Sequence, residues 1–334
     1  MEKKKCKILS IDGGGIRGII PAKVLAELEL YEKQNGSGKP LHEQFDLICG
    51  TSTGAIIAVG IALGVPTANI LEFYKKYASA IFPRWIWNTQ MFKGLYKPIY
   101  SNKSLLKALE NVYKKEDGTT ALLNDAKTFL CIPTFNGGSG EINVLKTKHH
   151  PNYTRDYKLP AHHAALASAS APVYFPPHNF SFSNEFGEGK NVNMIDGGVF
   201  ANNPALIGLF EATDKLGYDF SDVKLLSIGT GKGKHILKKR WKPPGMRYWL
   251  FPEPRAFDIM LDSQAQITEQ YLAFLSRSLQ KDGKEIAYYR VQHDFHDRPI
   301  ALNSSDKKDI ERLEIAGEEL SKKHISNIAK IFFN

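Results

Sequence analysis

Short apolar runs alternate with glycine-rich turns and longer amphipathic stretches along this chain, an order that predicts repeated strand, loop and helix units. Lys7 to Asp12 is an apolar run ending in glycines, and Ile19 to Lys33 follows with apolar residues at helical spacing (Val24, Leu25, Leu28, Tyr31). The pattern repeats. Phe45 to Cys49 reads as a strand, Gly50 to Gly54 as a tight turn, and Ala55 to Leu63 as a helix of small and aliphatic residues. Two successive units imply an α/β fold with a mostly parallel central sheet flanked by helices. Further strands are predicted at Thr128 to Pro133, Asn191 to Ile195, Lys224 to Ile228 and Glu285 to Gln292, and helices at Ser104 to Tyr113, His162 to Ser170, Phe257 to Gln280 and Ser305 to the C-terminus. The Gly, Lys and Pro-rich stretch from Gly229 to Pro254 is the one linker-like segment. It divides an expected catalytic core over 1–231 from an extension over 232–334 packed on the same domain.

Composition narrows the class. With 334 residues and 43% hydrophobic content, the chain has ample material for a packed core. Its longest apolar stretch, Ala55 to Val65, falls short of the roughly 20 residues that cross a bilayer, and the basic start lacks a signal-peptide pattern. The expected location is therefore cytoplasmic. Cys6, Cys49 and Cys131 each lie in an apolar run and read as reduced core residues. A net charge of +9 favours an anionic partner, without choosing among nucleic acid, phosphate and acidic lipid.

Candidate chemistry begins at Gly50-Thr51-Ser52-Thr53-Gly54, a G-x-S-x-G sequence after a strand and before a helix, the context of a nucleophile elbow. Gly50 and Gly54 allow a turn too sharp for a β-carbon, and the following helix aims its positive end at Ser52. A second loop, Asp12 to Gly18, also joins strand to helix. Its Gly13, Gly15 and Gly18 spell a dinucleotide fingerprint, but the acidic residue that would hold a ribose is missing from the end of the second strand. Read instead as an oxyanion hole, Gly13, Gly14 and Gly15 offer bare N–H groups and Arg17 adds positive charge, which explains both loops together. Asp196, followed by Gly197 and Gly198 after a strand, is the candidate base for the serine.

At these residues the chain resembles the patatin-like phospholipases, most closely the plant patatin branch. The matching stretches are Ile8 to Ala22, Gly50 to Gly54, Ala169 to Phe180, Ile195 to Leu206 and Ser227 to Gly231, in the family's order. Phe257 to Leu279 and Ala287 to Gln292 match more loosely. The resemblance implies a modified α/β-hydrolase fold, a Ser52 and Asp196 dyad, an oxyanion hole at Gly13 to Gly15, and hydrolysis of fatty acyl esters in phospholipids or related lipids without a metal or other cofactor. Histidine is then absent from the chemistry, although His162, His163 and His178 lie near the matched segments. An aspartate with an ordinary pKa of about 3.9 is a weak base, so partial desolvation would have to raise it. Some bacterial members are switched on by cyclic nucleotides, and no motif in this sequence marks such a site. A storage or binding protein with incidental esterase activity is a third reading, opposed by the intact Ser52 and Asp196.

Other segments carry less. His293 to Asp297 offers four potential metal ligands but diverging side chains, and reads as a solvated loop; Gly229 to Lys234 lacks the spacing of a phosphate loop and reads as a strand end. All four tryptophans fall in two aromatic and basic stretches, Ile81 to Tyr100 with Trp85 and Trp87, and Lys232 to Arg255 with Lys238, Lys239, Arg240, Trp241 and Trp249. Such mixtures suit the headgroup boundary of an anionic membrane, and equally suit rings packed under helices with solvated lysines beside them. No nucleic-acid-binding module accompanies them.

Overall fold

The near-continuous apolar run Cys6–Ile11 forms β1, buried at every position except Lys7, as a central strand of a parallel sheet requires. The computed structural model describes residues 5–83, 96–184, 187–233, 245, 248, 249, 255–296 and 298–333. After β1 come a 3₁₀ turn (Gly15–Gly18), α1 (Ile19–Asn35), α2 (Leu41–Gln44), β2 (Leu47–Gly50), α3 (Thr53–Ala62), α4 (Thr67–Ile81) and α5 (Lys103–Val112). The middle of the chain holds β3 (Phe129–Asn136), β4 (Glu141–Lys146), α6 (Ala161–Ser168), β5 (His178–Asn184), β6 (Gly187–Asp196), α7 (Gly198–Ala201) and α8 (Ala205–Phe210). The last third holds β7 (Val223–Ile228), β8 (Lys232–Gly233), α9 (Arg255–Lys281), β9 (Ala287–Val291), β10 (Asp294–Phe295) and α10 (Lys307–Phe332).

The main sheet runs β5-β6-β3-β2-β1-β7-β9, with β4 on the far edge of β3. Strands β1, β2, β3, β7 and β9 are parallel, β4 and β6 run antiparallel to β3, and β5 pairs antiparallel with β6. One edge of β3 serves two partners. Its residues 129–131 pair with β2 and its residues 134–136 with β6, while β4 occupies the opposite edge. Because β6 arrives antiparallel in line with β2, its final residue Asp196 stops beside the loop that leaves β2. Helix α3 is buried at all ten positions, which only its small and aliphatic sequence permits.

The sequence-based elements lie within a few residues of the observed ones, and the cysteines are buried and free as expected. Four differences matter. Strands β4 and β5 and helix α4 were not anticipated. The strand read at Asn191 to Ile195 extends to Gly187–Asp196. Asp294–Phe295, read as loop, pairs with Lys232–Gly233. Phe82 and Tyr100, grouped with the aromatic and basic stretch, are instead buried against each other and Phe175, with ring centroids 5.4 to 6.0 Å apart.

Helix α10 lies along α1, and its fully buried Phe332 meets Phe45 at 6.3 Å between ring centres. Phe332→Ala is therefore expected to lower the unfolding free energy by about 3–5 kcal/mol, the usual loss for a truncated core phenylalanine. Urea denaturation should register that loss in one cooperative transition. Two resolved transitions would instead separate 232–334 from the core.

Candidate active site

Ser52 stands between β2 and α3 at φ 56°, a left-handed conformation that a non-glycine residue adopts only when its surroundings insist. Several bonds insist. The Thr51 N–H donates to Ile11 O (3.2 Å) and the Thr51 hydroxyl to Ala201 O (2.6 Å). The Ser52 N–H donates to Ser168 Oγ (2.9 Å), which itself donates to Pro133 O (2.6 Å). A β-carbon at Gly50 would collide with Gly54 O, and one at Gly54 with Ile11 O, so both flanking glycines are sterically required.

Asp196 is 2% exposed, and the nearby Ser52 hydroxyl acts on its carboxylate. The Gly198 N–H donates to its Oδ1 at 2.7 Å. Burial pushes this carboxyl up to about 7, against the opposing pull of the Ser52 and Gly198 hydrogen bonds. A buried acid in this range is a far stronger base near neutrality than an ordinary aspartate.

The glycine loop passes close by: a β-carbon at Gly13 would lie 3.1 Å from Ser52 Cβ. Its donors are unequally free. The Gly13 N–H is occupied by Asn202 O (3.0 Å), whereas those of Gly14 and Gly15 have no acceptor among the described residues. Arg17 also departs from expectation. It is buried, and its guanidinium lies 3.8 Å from Asp262 Oδ1 on α9, so its charge is balanced within the protein. The sequence concealed both facts because Asn202 and Asp262 are remote from the loop along the chain.

Ser52, Asp196, Gly14 and Gly15 line one cleft of about 670 Å³, part of it open to solvent. Its remaining wall is overwhelmingly apolar, with Ile56, Phe73, Ile81, Phe175, Phe257 and Leu261 among its side chains. Asn202 also lines it and carries a buried Oδ1 without a hydrogen-bond partner. Among the described residues no histidine hydrogen-bonds Ser52 or Asp196. His163 and His178 bond to each other (2.9 Å) and stack on Phe180 away from the cleft. Burial lowers them to about 3 and 4, so both are neutral rings.

Behind the sheet lies a cluster that the sequence did not suggest: Cys131, His149 and Glu211 have donor atoms within 4.8 Å of one another, the separation a metal ion needs. The cluster is satisfied from within. Glu211 accepts from Lys146 Nζ (2.5 Å), the Tyr153 hydroxyl (2.5 Å) and His149 Nε2 (2.9 Å). Burial opposes its charge, yet these bonds hold it down to about 2. With an ammonium already on the carboxylate, the group reads as an ion-pair network. Of the membrane-surface candidates, Trp249 is half-buried with its ring edge on Tyr248, while Trp85, Trp87, Lys238, Lys239, Arg240 and Trp241 lie outside the described residues.

Comparison with known proteins identifies the family. The sequence profile described as patatin-like phospholipase matches residues 9–209. A cGAMP-activated phospholipase of Vibrio cholerae serotype O1 is 36% identical over 68% of this chain, a stretch spanning 65% of that relative. Patatin-like protein 2 of Oryza sativa subsp. indica is 30% identical over 97% of this chain and 86% of its own length. Among solved structures, VipD from Legionella pneumophila aligns over 97% of this chain and 67% of its own at 12% identity, with a TM-score of 0.43. This chain belongs to the patatin-like phospholipase family.

Proposed function

We propose that the protein is a lipid acyl hydrolase of the phospholipase A type, working through Ser52 and Asp196 alone. The observation that carries this reading is Ser52, in its strained turn, and the buried carboxylate of Asp196 lining one apolar cleft. Ser52 Oγ attacks the acyl carbonyl carbon while Asp196 takes its proton. The carbonyl oxygen, now negative, is held by the Gly14 and Gly15 N–H groups and the positive end of α3. The intermediate collapses as Asp196 returns the proton to the departing alcohol, leaving an acyl ester on Ser52. Water, deprotonated by Asp196 in turn, then releases the fatty acid. Apart from Asp196 no described residue of the cleft wall carries a charged side chain, so the acyl chain is the part of the lipid that the cleft grips and the headgroup stays outside.

A second reading concerns control of the same site. Relatives at 34–36% identity carry the name cGAMP-activated phospholipase, which favours a nucleotide activator here as well. Adding cGAMP to the purified chain tests it: a rise in lipid hydrolysis supports the switch, and an unchanged rate excludes cGAMP as the trigger. Peripheral association with anionic membranes from the cytoplasmic side, through Lys238, Lys239, Arg240 and the tryptophans around them, is proposed on charge alone. No described helix is long and apolar enough to cross a membrane. Each basic residue near such a surface is worth about 1 kcal/mol, so alanine at Lys238, Lys239, Arg240 and Lys242 should weaken vesicle binding by orders of magnitude at low salt. Unchanged vesicle binding would remove this segment from consideration.

Ser52→Ala should abolish hydrolysis in a panel of phospholipids while leaving the melting temperature near that of wild type, and a fluorophosphonate probe should label wild type only. Labelling that survives in Ser52→Ala would assign the nucleophile elsewhere.

Asp196 must be ionised to accept a proton, so kcat/KM for a soluble ester should climb about tenfold per pH unit below 7 and level off above it. The same shift acts on stability with the opposite sense. Its folded pKa lies above the unfolded value of 3.8, so the folded state binds the proton more tightly and loses stability as pH rises towards 7. Asp196→Asn should therefore be inactive yet melt higher than wild type at pH 8. A flat rate profile between pH 5 and 8 would remove Asp196 from the base role.

A further inference from the structure

The two free N–H groups of the glycine loop are only as useful as the loop is rigid, and its anchors are unevenly distributed. Asp12 N–H donates to Ile228 O (3.0 Å), the Gly13 N–H to Asn202 O (3.0 Å), and Thr230 Oγ1 to Gly13 O (2.8 Å). On the far side the Ile16 N–H donates to Leu302 O (2.8 Å). One anchor is ionic. Asp12, 1% exposed, receives a two-pronged hydrogen bond from Arg290 on β9, Nη1 to Oδ1 at 3.0 Å and Nη2 to Oδ2 at 2.6 Å. The guanidinium is held in turn by Ser227 Oγ (2.8 Å) on β7 and Glu269 Oε1 (2.9 Å) on α9. Three elements thus fix the plane of the arginine, and the arginine fixes the residue preceding Gly13.

We propose that Arg290 is a positioning residue for catalysis: through the Asp12 carboxylate it sets where the Gly14 and Gly15 N–H groups point. The inference rests on the Ser52 reading above and extends it to a strand outside the 9–209 family match. A planar fork bonded to a carboxylate at both oxygens fixes orientation as well as position, which a lysine cannot do. Burial drives the Asp12 carboxyl up to about 6 even with Arg290 and its hydrogen bonds holding it down. Removing the arginine would leave a buried carboxylate opposite Glu269 with its principal cation gone, and the loop would shift to relieve it.

The test measures kcat and KM of the full chain on a soluble short-chain p-nitrophenyl ester for Arg290→Met, Arg290→Lys, Asp12→Asn and the Arg290→Met/Asp12→Asn double variant. Misaimed oxyanion donors act on the transition state, so Arg290→Met should lose at least about tenfold in kcat with KM within about twofold of wild type. Arg290→Lys should recover part of that loss. The double variant should be no worse than its worse parent, because the two residues act as one unit. Losses that multiply, a loss carried by KM, or wild-type kcat in Arg290→Met would each overturn the proposal. Should Arg290→Met fail to fold, Arg290→Lys decides: wild-type kcat there overturns it, and a reduced kcat at unchanged KM and melting temperature supports it. Hydrolysis that persists in Ser52→Ala would count against the enzymatic reading itself, a result separable from all of these.

Discussion

Ser52 is held in a backbone conformation that it would not choose, and much of the surrounding architecture exists to hold it there. Its φ of 56° survives because β1, α6 and the Ala201 carbonyl all bond to the turn, while Gly50 and Gly54 vacate the space that the turn needs. Strain of this kind costs on the order of 1–3 kcal/mol and persists only when the neighbours over-determine it. The fully buried α3 supplies the rigid backing, since a helix packed at every position cannot slide to let the turn relax. The direction of the hydroxyl is thus a property of the sheet and its helices together.

Around that turn the protein assembles carboxylates that are almost wholly buried. Asp196 and Asp12 sit at the ends of neighbouring regions of the sheet, 2% and 1% exposed, yet their circumstances differ. Asp12 faces the guanidinium of Arg290 on both oxygens, whereas the neighbours of the Asp196 carboxylate among the described residues are neutral, the Gly198 N–H and the Ser52 hydroxyl. A cation bonded to both oxygens fixes the orientation of a carboxylate, while neutral donors leave it without a fixed ionic partner. The two acids are therefore suited to different work, one to anchoring and one to exchange.

Much of this was legible in the sequence because glycine leaves a record of where the backbone is crowded. Gly50 and Gly54 marked the turn around Ser52, and Gly13 to Gly15 marked the second loop. Asp196 was found by its place after a strand and before two glycines. Partners brought in from far along the chain left no such record. Asn202 occupying the Gly13 N–H, Asp262 facing Arg17, Arg290 clamping Asp12, and Cys131 meeting His149 and Glu211 all depend on packing between distant segments. The missed elements divide in the same way. Helix α4 carries a readable helical stripe in Ile70, Phe73, Tyr74, Ala78 and Ile81. The edge strands β4 and β5 are short and half-exposed, so little distinguishes them locally from loop.

The shared edge of β3 also bears on when the site is assembled. Nucleophile and acid come from opposite halves of the matched region, and they meet only after β6 has docked antiparallel beyond the end of β2. Pairings between such distant segments form late, because the loop between them must be closed before the contact can reward it. A partly folded chain lacks Asp196 at this position and also the remote groups that hold the turn and the glycine loop, Ser168 and Ala201 for one and Asn202, Leu302 and Arg290 for the other. The site exists only in the finished fold, because every part of it is held by a segment distant along the chain.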